Sequence, residues 1–293
     1  RNESREDGML GLQDRSPFLN VTVADANEPV QIKFRIRIKT KPVVVAFQWN
    51  AKNEIHRHLQ HETSAEDGKL ALKWLGRMQT FALNPQVIGN PMPVTSTPMS
   101  SSGEGLAAVL DDLRDDKERW ESLLAEMCNW LPEYDHIEFD KPQPGQKSVV
   151  LRTRKGHHRI PASQLSQGTL IALALLALAY SPNPPSLIGL EEIDRGLHPR
   201  LLRHLQDALY RLSYPESCGE KRPPIQVIAT THSPYLLDLY RDHPEEIVLA
   251  QKEGLEVKFN RLKDVEHFDD ILGDSPLSEV WYSGVLGGVA VKP

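Results

Sequence analysis

The chain has 293 residues, 40% of them apolar and 25% charged, with a formal net charge of −6. That composition excludes a disordered chain and a general nucleic-acid coat, and the length suffices for one large domain or two modest ones. The two cysteines, Cys128 and Cys218, lie far apart with no Cys or His at ligand spacing, which argues against structural zinc and for a reducing, cytoplasmic setting. No apolar run reaches the roughly 20 residues of a membrane helix, and no signal peptide is visible.

In chain order, residues 31–40 (QIKFRIRIKT) alternate with period two. Ile32, Phe34, Ile36 and Ile38 face one way and Lys33, Arg35, Arg37 and Lys39 the other, which predicts a half-buried antiparallel strand. Its basic side reads as a solvated, edge-protecting face, with phosphate contact as the alternative. KPVVVAFQWN and KSVVLRTR are further strand candidates, and the Pro- and Ser-rich residues 84–102 read as a long loop. Between residues 105 and 131, apolar positions recur at spacings of three, four and seven, which predicts one long amphipathic helix or two in succession. DDLRDDKER reads as the solvated face of that helical stretch.

After residue 163 the pattern changes. A buried helix over 167–180 is followed by a strand at 186–190, an amphipathic helix over 199–212, a strand at 225–229, a helix from near Pro234 and a strand at 247–249. Strands alternating with helices predict parallel βα units whose apolar strands are buried on both faces.

Three features could carry chemistry. SLIGLEEIDRGLHPRLL ends a strand in adjacent carboxylates, Glu191 and Glu192, at the edge where open α/β sheets bind ligands. Successive residues point to opposite faces, so the two acids divide their work between a magnesium ion and an attacking water, or else merely end a strand. VIATTHSPYLL places Thr230, Thr231 and His232 at the same edge, where an imidazole can meet a phosphate or serve the fold. In LSQGT, Ser166 is a natural N-cap, the helix start exposes unpaired N–H groups, and Gly168 lets backbone approach an anion.

Ser166-Gln167-Gly168, LIGLEE and THSP resemble the signature motif, Walker B strand and switch histidine of ABC-type ATPases, in the RecF/SMC-like branch. EEIDRGLHPRLL, QVIATTHSPYLLD, SEVWYSGVLGG and GEGLAAVLDDLRDD resemble compact bacterial AAA-family ATPases of that branch, many found in anti-phage defence operons. The resemblance implies an α/β ABC-ATPase-like head, a parallel βα core preceded by an antiparallel β-rich lobe and a helical insertion. Residues 1–100 would form the β-rich part of the N-terminal lobe. Residues 101–163 would be the helical insertion with a returning strand, and 164–293 the lobe with signature, Walker B and switch histidine.

It further implies a homodimer closed around ATP and Mg2+. Ser166, Gln167 and Gly168 would read the γ-phosphate bound to the opposite subunit. Glu191 would hold the metal, Glu192 would activate water and His232 would sense the γ-phosphate. Gly196, Leu197 and His198 fall at the family's D-loop, with His198 facing the nucleotide across the interface. An effector nuclease is the expected partner in defence; a RecF-like DNA repair ATPase, with nucleic acid bound, and a nucleotide-independent scaffold are the alternatives.

The sequence departs from the family twice. Glu191 stands where Asp is usual, and the sequence contains no G-x-x-x-x-G-K-[ST] P-loop. PQPGQKSVV and EDGKLAL each pair a Gly with a nearby Lys but lack the motif's spacing or its Ser/Thr, and both read as decoys. The chain begins with Arg1 rather than Met, so the expectation is a P-loop lobe truncated from it or supplied separately.

Overall fold

A computed structural model describes residues 30–38, 41–49, 55–59, 64–93, 98–253 and 256–286. These fall into two compact units: the described residues up to Gln79 with Pro185–Ile188, and Thr80–Pro184 with everything described from Gly189 onward.

In the first unit, β1 (Val30–Ile38), β2 (Lys41–Trp49) and β3 (Ile55–Leu59) form an antiparallel sheet in that order. The pairing of Phe34 with Val45 and of Ile36 with Val43 keeps the alternating apolar residues on one face. Val43 and Val45 are buried with Ala71 and Leu75 of α1 (Ala65–Leu75), and Phe34, Ile36, Leu72 and Trp74 pack against them. Arg35 points to solvent; the side chains of Lys33, Arg37 and Lys39 lie outside the described residues. Ser64 caps α1 by accepting the Asp67 N–H at 3.0 Å. Gly68-Lys69 of EDGKLAL therefore sits inside a helix, where it forms no phosphate loop. The chain leaves this unit along β4 (Met78–Phe81).

The second unit starts at Thr80 within β4 and takes in the expected loop. Asn84 accepts the Gln86 N–H at 3.0 Å, and with Pro85 in the first turn this nucleates a short helix, α2 (Pro85–Ile88). A two-residue strand, β5 (Met92–Pro93), follows, so the local caps overrode the loop composition. The helical stretch divides into α3 (Leu106–Leu113) and α4 (Lys117–Trp130). DDLRDDKER is thus a helix break rather than one solvated face. Asp116 caps α4 by accepting the Arg119 N–H at 3.1 Å, a bond that holds its carboxyl below the usual range.

β6 (Tyr134–Asp140), β7 (Gln146–Thr153) and β8 (Arg159–Pro161) form an antiparallel sheet that β5 joins on β7. Lys147, the cation of PQPGQKSVV, is buried at the start of β7 in an ion pair with Asp111 of α3. It holds the fold and faces no phosphate loop. Lys147→Met is expected to cost about 1–3 kcal/mol of stability, the value of a hydrogen bond to a charged group, with Asp111 left partly solvated. Urea denaturation checks the loss, and ATP affinity is expected to stay unchanged.

α5 (Gln167–Ala179) is buried at every position from Thr169 to Ala179, as its all-round apolar sequence requires. It packs against α2, α3, α4 and the following α6. β9 (Leu187–Leu190) is almost wholly buried; α6 (Leu202–Ser213) presents Leu202, Leu205 and Leu212 to the core. β10 (Gln226–Ala229) completes a parallel core sheet in the order β10-β9-β4. The expectation of strands buried on both faces holds for β9 and fails for β10, which ends the sheet among the described residues and whose Ile228 is 53% exposed. After α7 (Pro234–Leu239), the strand expected at 247–249 becomes β11 (Val248–Glu253). It pairs antiparallel with β12 (Glu256–Arg261) in a separate hairpin instead of extending the parallel sheet. Leu249, Leu262, Phe268, Leu272 and Leu277 close a small core under this hairpin, with α8 (Phe268–Leu272) and α9 (Leu277–Tyr282). Among the described residues no helix is long and apolar enough to cross a membrane.

Candidate functional site

The carboxyl ends of β9 and β10 and the start of α5 are joined by one turn. β9 ends where the Glu191 N–H donates to Phe81 O at 2.9 Å, leaving both acidic side chains exposed beyond the sheet. Glu192 adopts φ 45°, a left-handed conformation that costs a non-glycine residue about 1–2 kcal/mol. Its backbone is held there from both sides. Thr230 Oγ1 accepts the Glu192 N–H at 3.0 Å, and the Arg195 N–H donates to Glu192 O at 2.8 Å. The next residue, Ile193, is buried and donates its N–H to Thr230 O at 3.1 Å. Arg195 Nη1 lies 3.3 Å from Glu192 Oε2, but both side chains are more than half exposed, so this pair contributes little.

At the helix start, Ser166 Oγ accepts the Thr169 N–H at 3.1 Å and lies 2.8 Å from Thr169 Oγ1. The N–H groups of Gln167 and Gly168 precede the first intrahelical bond, from Leu170 to Ser166 O, and belong to the first turn that a helix leaves unpaired. Ser166 and Gln167 are exposed, and Gly168 is half-buried. Gly168 has a second reason to lack a side chain: a Cβ there would stand 2.4 Å from Gly196 O. The space first read as room for an anion is filled on that side by the turn after β9. Gly196 itself has φ 75°, with the place of its own missing Cβ 3.5 Å from Ile171 Cδ1.

His198 Nδ1 accepts the Arg200 N–H at 3.2 Å and caps the short 3-10 turn ahead of α6. That bond leaves Nε2 as the protonated nitrogen of the neutral ring. His232 is exposed between Thr231 and the α7 cap Ser233. Asp194 accepts the Thr231 hydroxyl at 2.5 Å, and Thr231 Oγ1 in turn accepts the Ser233 N–H at 3.0 Å. No sequence signal marked Asp194, because its partner lies 37 positions away and only the sheet brings them together.

The structure thus places Gln167 and Gly168 against Gly196 of the turn that runs from Glu192 to His198, and ties that turn to the strand end before His232. Glu191 and Glu192 are exposed oxygen donors of the kind magnesium takes, and the start of α5 carries unpaired N–H groups of the kind that meet a phosphate.

Residues 45–238 match the family described as "AAA domain, putative AbiEii toxin, Type IV TA system". The chain belongs to this AAA-domain family. The AAA domain has the fold of SMC heads. The SmcHead bound to the C-winged helix domain of ScpA superposes with TM-score 0.52 at 13% identity, over 80% of this chain and 75% of that one. The SMC head domain from Thermotoga maritima gives TM-score 0.40 at 12% identity, over 80% and 73%. The Smc head domain with an extended coiled coil bound to the C-terminal domain of ScpA, derived from Pyrococcus furiosus, gives 0.44 at 12%, over 80% and 77%. Among curated proteins none matches the chain. The protein is therefore an α/β ATPase head with a parallel core sheet and added antiparallel strands, of a nucleotide-binding family.

Proposed function

We propose that this head binds and hydrolyses ATP as one half of a pair and works as a nucleotide-driven switch. The observation that carries the reading is Glu192, locked in a strained conformation at the carboxyl end of β9 by Thr230 and by its own turn. Strain of this kind persists where the surrounding structure over-determines it, and such positions cluster at functional sites.

Glu191 would hold Mg2+, which when bound offsets charge on the β- and γ-phosphates. Glu192 would orient the attacking water and take its proton, and His232 would hydrogen-bond the γ-phosphate. Ser166 Oγ and the Gln167 and Gly168 amides would face a nucleotide held by the other polypeptide of the pair, with His198 Nε2–H beside them. The reading in trans rests on the resemblance of Ser166-Gln167-Gly168 to the signature motif of ABC-type heads.

Membership of a family described by a toxin–antitoxin system supports a defence role; an effector nuclease as partner and the cytoplasm as setting belong to the same proposal. The longest described helix, α4, has 14 residues, which favours a compact switch over a long-armed one. The DNA-repair alternative rests on the basic face of β1, of which Arg35 is exposed.

Light scattering on the full-length protein tests the pairing. Mg-ATP is expected to raise the mass to that of a pair, and Ser166→Arg, which fills the exposed helix start, is expected to restore the single head. A mass indifferent to ATP overturns the reading and favours a nucleotide-independent scaffold.

A further inference from the structure

His232 precedes α7, and a second group of polar side chains follows it, on the single 3-10 turn Pro244–Glu246 and the residue before. His243, Glu245 and Glu246 each bring one ligand atom to within 4.8 Å of the other two. The pair His243 Nδ1 and Glu245 Oε1 stands 3.3 Å apart. Bonds of about 2.0–2.2 Å to a tetrahedral ion place neighbouring ligand atoms about 3.3–3.6 Å apart, so this pair already has coordination spacing. A proton shared between His243 and Glu245 would satisfy those two alone. With Glu246 drawn in beside them, two carboxylates face one imidazole, and a divalent cation offsets their charge where a single proton cannot.

The turn is built without the ion. Pro244 fixes its entry, the His243 N–H donates to Tyr240 O at 2.9 Å, and the Glu246 N–H donates to His243 O at 3.0 Å. Behind it, the Leu262 N–H donates to Ile247 O at 2.9 Å, and both residues pack in the core under the β11–β12 hairpin. Ligands held in place beforehand lower the ordering cost of binding. Tyr210 of α6 supports two of them: its hydroxyl donates to Glu246 Oε2 at 3.1 Å, and its ring meets the His243 ring edge-on with centroids 6.3 Å apart. Stacking on Tyr214 and Tyr240 fixes the Tyr210 ring in turn. Burial and the Glu246 carboxylate push the Tyr210 pKa up to about 12, so the hydroxyl keeps its proton and remains a donor. An outer hydrogen bond of this kind is how metal sites orient a ligating carboxylate.

We propose that His243, Glu245 and Glu246 form a binding site for a first-row divalent ion of the Zn2+ type, with water completing its shell and Tyr210 as the positioning residue. The imidazole selects against Mg2+, which takes oxygen ligands, so this site differs in chemistry from the one proposed for Mg-ATP. His243 and Glu245 are half-exposed, which leaves the ion a path from solvent.

The test uses the full-length protein without nucleotide, with Co2+ as a visible probe and Zn2+ as competitor. Wild type is expected to bind one more equivalent of Co2+ than His243→Ala, a comparison that removes binding by the other histidines. The visible absorption of that equivalent is expected to vanish on adding Zn2+ and to survive millimolar Mg2+. Glu246→Gln is expected to weaken Co2+ binding about tenfold or more. Tyr210→Phe is expected to weaken it about 10–100-fold and to shift the absorption, a change that a merely stabilising tyrosine would not cause. Zn2+ is expected to raise the thermal midpoint of wild type by about 2–4 °C and to leave that of His243→Ala where it was. Equal Co2+ binding and equal spectra in wild type and His243→Ala overturn the site. Displacement of Co2+ by Mg2+ overturns the choice of ion, and an unaltered affinity and spectrum in Tyr210→Phe overturn the positioning role.

Discussion

Replacing Glu192 with Gln is expected to lower ATP turnover on the order of 10²–10⁴-fold, the contribution of a positioned general base, while leaving the thermal midpoint where it was. The amide keeps the length of the side chain and cannot take a proton from water. The carboxylate is exposed and its ion-pair partner, Arg195, is exposed too, so little folding energy resides in the charge. Glu192→Gly separates the two effects further. At φ 45° glycine carries no Cβ penalty, so stability is expected to rise by about 1 kcal/mol while turnover is lost. Single-turnover kinetics and thermal denaturation on the same samples give both numbers. Undiminished turnover in Glu192→Gln would remove the residue from the chemistry, and a Glu192→Gly variant less stable than wild type would show that its left-handed conformation carries no strain.

The second large effect concerns the rod behind the helix start. Leu173 is fully buried in α5, between helices that pack on it from several sides. Leu173→Ala is expected to cost about 2–5 kcal/mol, because the surrounding helices can collapse only in part onto the cavity. Set against the roughly 5–15 kcal/mol that holds a domain together, that loss moves the urea midpoint far toward zero. Phe259 on β12 is 71% exposed, and Phe259→Ala is expected to change stability by no more than about 0.5 kcal/mol. Equal losses at the two positions would mean that α5 is not the structural spine.

What could be read from the sequence followed from periodicity and local chemistry. The alternation of β1, the apolar continuity of α5 and the leucine stripe of α6 each state which face is buried, and the structure buries those faces. Ser166 as a cap was equally legible, since the hydroxyl and the N–H it accepts lie three residues apart. The helix break at Asp116 and the short α2 depend on single caps inside charged or Pro-rich runs, where composition outweighs the one residue that decides.

The remaining features depend on residues far apart along the chain. Sequence alone named Glu191, Glu192, His232 and Ser166-Gln167-Gly168 as polar groups at element ends, because the end of a strand and the start of a helix are local properties. It could not show that β10 pairs with β9 or that β11 turns back on β12, since a strand's neighbours are chosen by packing of the whole sheet. Nor could it show what Gly168 leaves room for. Only the tertiary structure brings Gly196 O onto Gly168 and Thr231 onto Asp194, converting separate motifs into one connected turn. The physical reason is that side-chain periodicity reports burial, a one-body property readable in order, whereas close backbone approach and long-range hydrogen bonds are pair properties that exist only once the chain has folded.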